Sequence, residues 1–180
     1  MIATAFILAC APDVSPLTIQ EIIRVESNYN PIAVNINTKG GTPYSYKRPR
    51  TKQQAIALAH AAIVAGHTVD MGYMQVNSAN LKKLGYTVRD MFHECTNLKA
   101  GSHILKTAYS DAAAIHGPGQ KALRAALSRY NTGSFSRGFY NGYLARYINL
   151  PKKPVKTAGN PYTAETSVWH QPYNVIQKYR

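Results

Sequence analysis

The sequence predicts a single, mainly α-helical domain, and three observations carry that prediction. Apolar residues recur at helical spacing in several segments, Ile19, Ile22 and Ile23 in one, Leu98, Leu105 and Ala112 in another. Segments with sustained polar–apolar alternation are scarce. A length of 180 residues with 45% hydrophobic content suits one folded domain with a sizeable core.

Taken in order, "MIATAFILAC" reads as a first helix leading into Cys10. Its apolar run is short for a signal core region and no basic residue precedes it, so any export signal is expected upstream of this chain or trimmed from it. Ser15 followed by Pro16 is a helix start, a hydroxyl cap and then proline at the first helical position. The helix over "LTIQEIIRVESN" is expected to end near Asn28, ahead of Pro31. Residues 33–50 alternate briefly, turn at Gly40-Gly41 and return with tyrosines, which fits a short hairpin or a long loop. A clear helix follows over 51–67, with Thr51 and Gln54 in a capping-box pattern and Gly66 as the stop. "VDMGYMQVN" (69–77) lacks sustained periodicity and reads as a structured loop. A short helix over 78–85 is stopped by Gly85. The longest helix spans 94–117, with Leu98, Gly101, Leu105, Ala108 and Ala112 on one face. Residues 119–133 form the next, with Leu123, Ala126, Leu127 and Tyr130 inward, and 137–150 the last. After Pro151 the chain turns rich in Pro, Lys, Thr and Asn. The expected organisation is one domain over 1–150 and a basic tail over 151–180.

One residue in the second helix stands out. Ile19, Ile22, Ile23 and Glu26 fall at i, i+3, i+4 and i+7 and share a face, whereas Glu21 points elsewhere and reads as a solvated acid. Burial disfavours a charged carboxyl, and so does the negative end of a helix dipole. Both effects raise the expected pKa of Glu26, as a general acid working near neutral pH requires. The alternative is a frayed helix end with Glu26 simply exposed, and the periodicity does not choose between the two.

The charge narrows the partner classes. There are 21 Lys and Arg against 8 Asp and Glu, a net charge of +13. That balance favours a polyanion: nucleic acid, an anionic membrane surface or an anionic cell-wall polymer. The tight clusters are "KRPRTK" (47–52) and "PKKPVK" (151–156), and a generic basic surface accounts for the rest. No nucleic-acid-binding signature occurs, and no apolar run reaches the roughly 18 residues that span a bilayer. Nucleic acid and a stable membrane span are therefore not expected.

Several chemistries lack their residues. There is no G-x-S-x-G elbow and no phosphate-cradling glycine loop, and the histidines at 60, 67, 93, 103, 116 and 170 have no metal or triad spacing. No metal and no cofactor are expected. Two cysteines, Cys10 and Cys95, cannot build a zinc site alone. They form either a disulfide, in an oxidising compartment, or two unrelated buried thiols. Glycoside cleavage ordinarily uses two carboxylates. Glu26 alone sits on an apolar stripe, and Asp70, in the 69–77 segment, is the one conceivable partner.

Three blocks in this order, "ESNYNP", "GYMQVN" and "RYNTG", together with the tyrosines of the last helix, resemble the signature of the lysozyme-like lytic transglycosylases. "CAPDVSP" and "CTNLKAG" resemble the small subfamily that accompanies type IV secretion systems, and the resemblance covers roughly residues 3–150. One departure is visible: the family's Gly-Leu-Met-Gln stands here as Gly72-Tyr73-Met74-Gln75. The resemblance implies an α+β lysozyme-like fold, a helical lobe with a small hairpin or loop lobe flanking a substrate cleft. It implies Glu26 as sole catalytic acid/base on peptidoglycan, cleaving between N-acetylmuramic acid and N-acetylglucosamine to a 1,6-anhydro product. It also implies Ser27 as a support at the helix end, Gln75 and Asn77 at the substrate or its loop, Tyr130 and Asn131 lining the cleft, and Tyr143 close to the acid. Tyr130 and Tyr143, read from their stripes alone, are equally core residues. The implied setting is the periplasm, with type IV secretion components as partners. A hydrolytic lysozyme is the rival within the class, and a non-catalytic wall-binding assembly module the rival outside it.

Overall fold

The computed structural model describes residues 1–38 and 43–148. The Gly40-Gly41 turn, the end of the last expected helix and the tail beyond Pro151 lie outside the described residues. The elements in order are α1 (Thr4–Cys10), α2 (Pro16–Ser27), β1 (Val34–Asn37), α3 (Lys52–Val64), β2 (Thr68–Met71), β3 (Val76–Asn77), α4 (Leu81–Leu84), α5 (Glu94–His116), α6 (Gln120–Thr132), α7 (Arg137–Tyr140) and α8 (Ala145–Ile148), with 3₁₀ turns at Ser78–Asn80 and Asp90–Phe92. The protein is mainly α-helical with one small antiparallel sheet, as expected.

The chain divides into two compact units. The first comprises Met1–Ala11 and Ile22–Gly101; the second comprises Pro12–Glu21 and the chain from Ser102 onward. The division falls inside α2 and inside α5.

In the first unit the sheet runs in the order β1-β2-β3. Val34 pairs with Met71 and Asn37 with Thr68, and Asp70 pairs with Asn77 across the next ladder. Val69, Met71 and Val76 are buried, whereas Asn35 and Asn37 on β1 are exposed, so the sheet alternates as an amphipathic strand set does. The hairpin β2–β3 corrects the expectation of a loop over 69–77. Its strands are too short for alternation to register, and the first partner of β2 lies some thirty residues upstream. Among the described residues of 33–50, β1 pairs with β2 and the chain over 43–50 is irregular, in line with the long-loop alternative.

α3 begins where the sequence indicates. Thr51 Oγ1 accepts from Gln54 N at 3.2 Å, and Gln54 Oε1 accepts from Arg50 N at 2.8 Å, one residue earlier than the reciprocal bond of a standard capping box. The helix closes with Gly66 N donating to Ile63 O and His67 N to Ala62 O, with Gly66 at φ +86°, a Schellman end that glycine permits. Cys10 and Cys95 are joined as a disulfide, their Cα atoms 5.1 Å apart.

In the second unit Ala112, Ala122 and Ala125 form a small-residue core against which Tyr109, Ala113 and Phe135 pack. Leu123, Ala126 and Leu127 of α6 are buried as expected, and so are Leu105, Ala108 and Ala112 of α5. Residues 137–150 are not one helix. α7 stops at Tyr140, Asn141 Oδ1 accepts from Tyr143 N at 3.0 Å, and Gly142 takes φ +78°, so an Asn-Gly turn separates α7 from α8. α7 lies tight on α6: a Cβ at Gly138 would come within 2.8 Å of Ser128 Cα.

Candidate active site

Glu26 lies in the last turn of α2. Ile19, Ile22 and Ile23 are fully buried, as the stripe requires, and each such burial contributes roughly 1.5–3 kcal/mol. Glu26 itself is half-buried, neither sealed among the isoleucines nor standing in bulk solvent. Its place one turn beyond Ile22 and Ile23, at the rim of the stripe, accounts for this. Glu21 is also half-buried, which corrects its reading as a solvated acid.

The backbone immediately after Glu26 is unusual. Ser27 Oγ donates back to Ile23 O at 3.1 Å, tightening the final turn. Asn28 and Tyr29 then take φ +49° and +62°, two successive left-handed residues without a glycine. Asparagine tolerates that region; tyrosine there costs on the order of 1 kcal/mol. Tyr29 N donates to Ile23 O at 3.4 Å, and Asn30 Oδ1 accepts from Ile32 N at 3.0 Å, so the chain reverses compactly into Ala33 and β1. Strained non-glycine backbone of this kind persists where its surroundings over-determine it.

The third left-handed non-glycine residue is Gln75, at φ +48° in the β2–β3 turn. Its Nε2 donates to Gly72 O at 2.9 Å and to Ala33 O at 3.3 Å. Gly72 N also donates to Ala33 O, at 2.9 Å. One carbonyl, seven residues after Glu26, therefore ties the acid's return loop to the glutamine turn. Both amide hydrogens of Gln75 are used in this way, and Oε1 accepts from no described residue.

Asn77 is turned to the hairpin. Its Oδ1 accepts from Ala79 N at 2.9 Å and its Nδ2 donates to Asp70 Oδ1 at 2.6 Å. Asp70 accepts in addition from Asn35 Nδ2 at 3.2 Å and Asn37 Nδ2 at 2.8 Å. Its carboxylate thus receives three amide donors, one from β3 and two from β1, and serves to clasp the sheet.

Asn97, to which the sequence pattern assigns no role, holds the glutamine turn from below. Placed on α5 and 1% exposed, it accepts from Met74 N at 2.8 Å and donates to Met71 O at 2.8 Å and Met91 O at 2.9 Å. Gly72 fits against it: a Cβ there would lie 2.5 Å from both Asn97 Nδ2 and Met91 O. Gly101 admits Met74 in the same manner, a Cβ meeting Met74 Sδ at 2.6 Å. Beside this turn Tyr73 is buried, and loss of solvation, then the Glu94 carboxylate, hold its hydroxyl above the ordinary tyrosine range. The "CTNLKAG" block contains Asn97 and Gly101, but no local pattern reveals that an asparagine near a helix start clamps a turn 23 residues away.

Glu26, Ser27, Gln75 and Asn77 belong to the first unit. Tyr130, Asn131 and Tyr143 belong to the second. There Tyr130 is half-buried and Asn131 exposed near the end of α6. Tyr143 is 4% exposed, its hydroxyl 2.6 Å from that of the fully buried Tyr147, with the two rings edge to face at 5.3 Å. Among the described residues no group of three or more His, Cys, Asp or Glu side chains is placed to hold a metal ion, and no helix is long and apolar enough to cross a membrane.

Protein virB1 of Rhizobium radiobacter is 39% identical over 137 residues, covering 76% of this chain and 55% of the relative. Protein virB1 of Agrobacterium fabrum (strain C58) is 37% identical over 141 residues, covering 78% and 56%. Type IV secretion system protein virB1 of Brucella abortus biovar 1 (strain 9-941) is 41% identical over 132 residues, covering 72% and 53%. The chain thus spans about half the length of the curated relatives it matches. No solved structure matches it. Residues 4–146 match the family model described as the transglycosylase SLT domain, and the chain belongs to that family.

Proposed function

We propose that the protein is a peptidoglycan lytic transglycosylase, cleaving the bond between N-acetylmuramic acid and N-acetylglucosamine. The observation that carries this reading is the half-buried Glu26 at the end of α2, followed by a strained return loop that shares the Ala33 carbonyl with the Gln75 turn. In the proposed reaction Glu26 starts protonated and gives its proton to the glycosidic oxygen as the bond from that oxygen to the muramic C1 breaks. The substrate's N-acetyl oxygen supports the cationic C1. The Glu26 carboxylate then takes the proton of the sugar's 6-hydroxyl, whose oxygen bonds to C1. The products are a 1,6-anhydro ring and a free 4-hydroxyl, and Glu26 ends protonated again. No second acid need hold a water. The three amide donors on Asp70 favour this single-acid scheme over hydrolysis, since they give that carboxylate a structural occupation.

In this reading Gln75 contacts the glycan through Oε1, since both its amide hydrogens are used within the protein, and Ser27 and Asn77 support the acid and the turn. Tyr130, Asn131 and Tyr143, in the second unit, are assigned to glycan binding. The setting is the periplasm, where a Cys10–Cys95 bond is stable, and the role is local opening of the wall for a type IV secretion or conjugation machine. The name and similarity of the Brucella relative support that assignment. The test is Glu26→Gln, which removes the titrating proton and keeps the shape. Clearing of cell-wall suspensions should fall by at least about 10²-fold with an unchanged circular dichroism spectrum. Wild-type clearing by that variant would refute the role.

A further inference from the structure

We infer that the segment 43–52 is an anion-binding strap that engages the carboxylates of the peptides carried by the wall polymer, an inference that rests on the substrate proposed above. The strap carries Lys47, Arg48, Arg50 and Lys52, all exposed. None of the four forms an ion pair with another described residue. The acids of the first unit are Glu26, Asp70, Asp90 and Glu94. Asp70 is occupied by three asparagine amides, and Asp90 accepts from Thr87 N at 2.8 Å and Thr87 Oγ1 at 2.7 Å. The strap's charge is therefore uncompensated, yet its backbone is tethered at both ends. Tyr46 Oη donates to Val34 O on β1 at 3.0 Å, and the Tyr44 ring meets His67 edge to face at 5.3 Å. At the other end Arg50 N is held by Gln54 and Thr51 caps α3. Cations on an already ordered backbone lose less freedom on binding than cations on a loose one.

Four cations between residues 47 and 52 occupy at most about 18 Å of extended chain. That length meets several carboxylates of one short peptide or of neighbouring ones, and the guanidinium forks of Arg48 and Arg50 suit carboxylates in bidentate geometry. The site of attachment favours the wall polymer over other anions. Val34, which holds Tyr46, directly follows Ala33, whose carbonyl binds the Gln75 turn and closes the loop from Glu26. The strap, the acid and the glutamine thus belong to one unit, and a glycan gripped at Glu26 would present its side peptides to the same unit.

The test is sedimentation binding of the full chain to purified sacculi, comparing native sacculi with sacculi whose carboxylates have been converted to amides by carbodiimide coupling. It is done in a Glu26→Gln background so that cleavage is not read. The expected result is at least about 10-fold tighter binding to native sacculi, weakening with added salt. Lys47→Ala/Arg48→Ala/Arg50→Ala should lose most of that preference, while Arg48→Lys/Arg50→Lys, which keeps the charge, should retain most of it. An undiminished preference in the triple alanine variant, or an equal loss on both preparations, overturns the inference. So does a strap-dependent affinity for phosphatidylglycerol vesicles or duplex DNA that exceeds the affinity for native sacculi. Because binding is read without turnover, this result and the transglycosylase reading can fail independently.

Discussion

Asn97 accepts a hydrogen bond from the backbone N–H of Met74 at 2.8 Å, and through it α5 sets the conformation of the turn that carries Gln75. The same amide caps the carbonyls of Met71 and Met91. Asn97→Ala would leave three buried backbone groups without that partner and a cavity behind. The expected cost is about 2–4 kcal/mol, read as a lower midpoint in denaturant with an unchanged slope. Asn97→Asp should recover none of it at neutral pH, because it sets a buried carboxylate oxygen against the Met71 and Met91 carbonyls.

Gly72 and Gly66 make a paired prediction, because both have positive φ and only one is crowded. A Cβ at Gly66 meets nothing within 4 Å, whereas at Gly72 it meets Asn97 and a backbone carbonyl at 2.5 Å. Gly66→Ala should cost about 1–2 kcal/mol, the left-handed penalty alone. Gly72→Ala should cost clearly more, about 3 kcal/mol or above, since backbone must move. Thermal unfolding of the two variants side by side checks the ordering, and equal losses would contradict the packing described.

The Cys10–Cys95 bond closes a separation of 85 residues. In the chain-entropy model such a closure stabilises by about 4–5 kcal/mol. Denatured, unreduced protein should therefore titrate no thiols, and reduction should lower the unfolding midpoint substantially. Two reactive thiols before reduction would exclude the bond.

Asp90 supplies a pH signature. Its hydrogen bonds from the Thr87 side chain and backbone, joined by the nearby His93 and Arg89 charges, hold its carboxyl below the ordinary range against a smaller opposing effect of burial. The folded state thus favours the ionised form. The associated stability is complete above the ordinary carboxylate range and is lost as pH falls through the lowered value. Asp90→Asn should flatten the acid limb of the melting temperature against pH, lowering the melting temperature most at neutral pH and least at the acid end.

Much of this architecture was legible in the sequence because it is local. The Ser15-Pro16 start, the Thr51 cap, the Gly66 and Gly85 stops and the stripes of α5 and α6 are set by neighbours within a turn or two. Glu26 was legible as the residue where a buried stripe ends. What local pattern missed is long-range or very short. β1 finds its partner more than thirty residues away, and β3 is two residues long. The break at Asn141-Gly142 was written in the sequence but was overridden by the apolar spacing around it. The left-handed run at Asn28 and Tyr29 carries no glycine to announce it, and the Asn97 clamp depends on contacts that periodicity does not report.

In the proposed reaction one glutamate and the substrate's own 6-hydroxyl suffice. Mass spectrometry of the muropeptides released from purified peptidoglycan tests it most directly. The expected products end in 1,6-anhydro-N-acetylmuramic acid, lighter by one water than the hydrolytic products and inert to borohydride. Reducing-end N-acetylmuramic acid as the initial product would contradict the proposed reaction and assign the protein to hydrolysis.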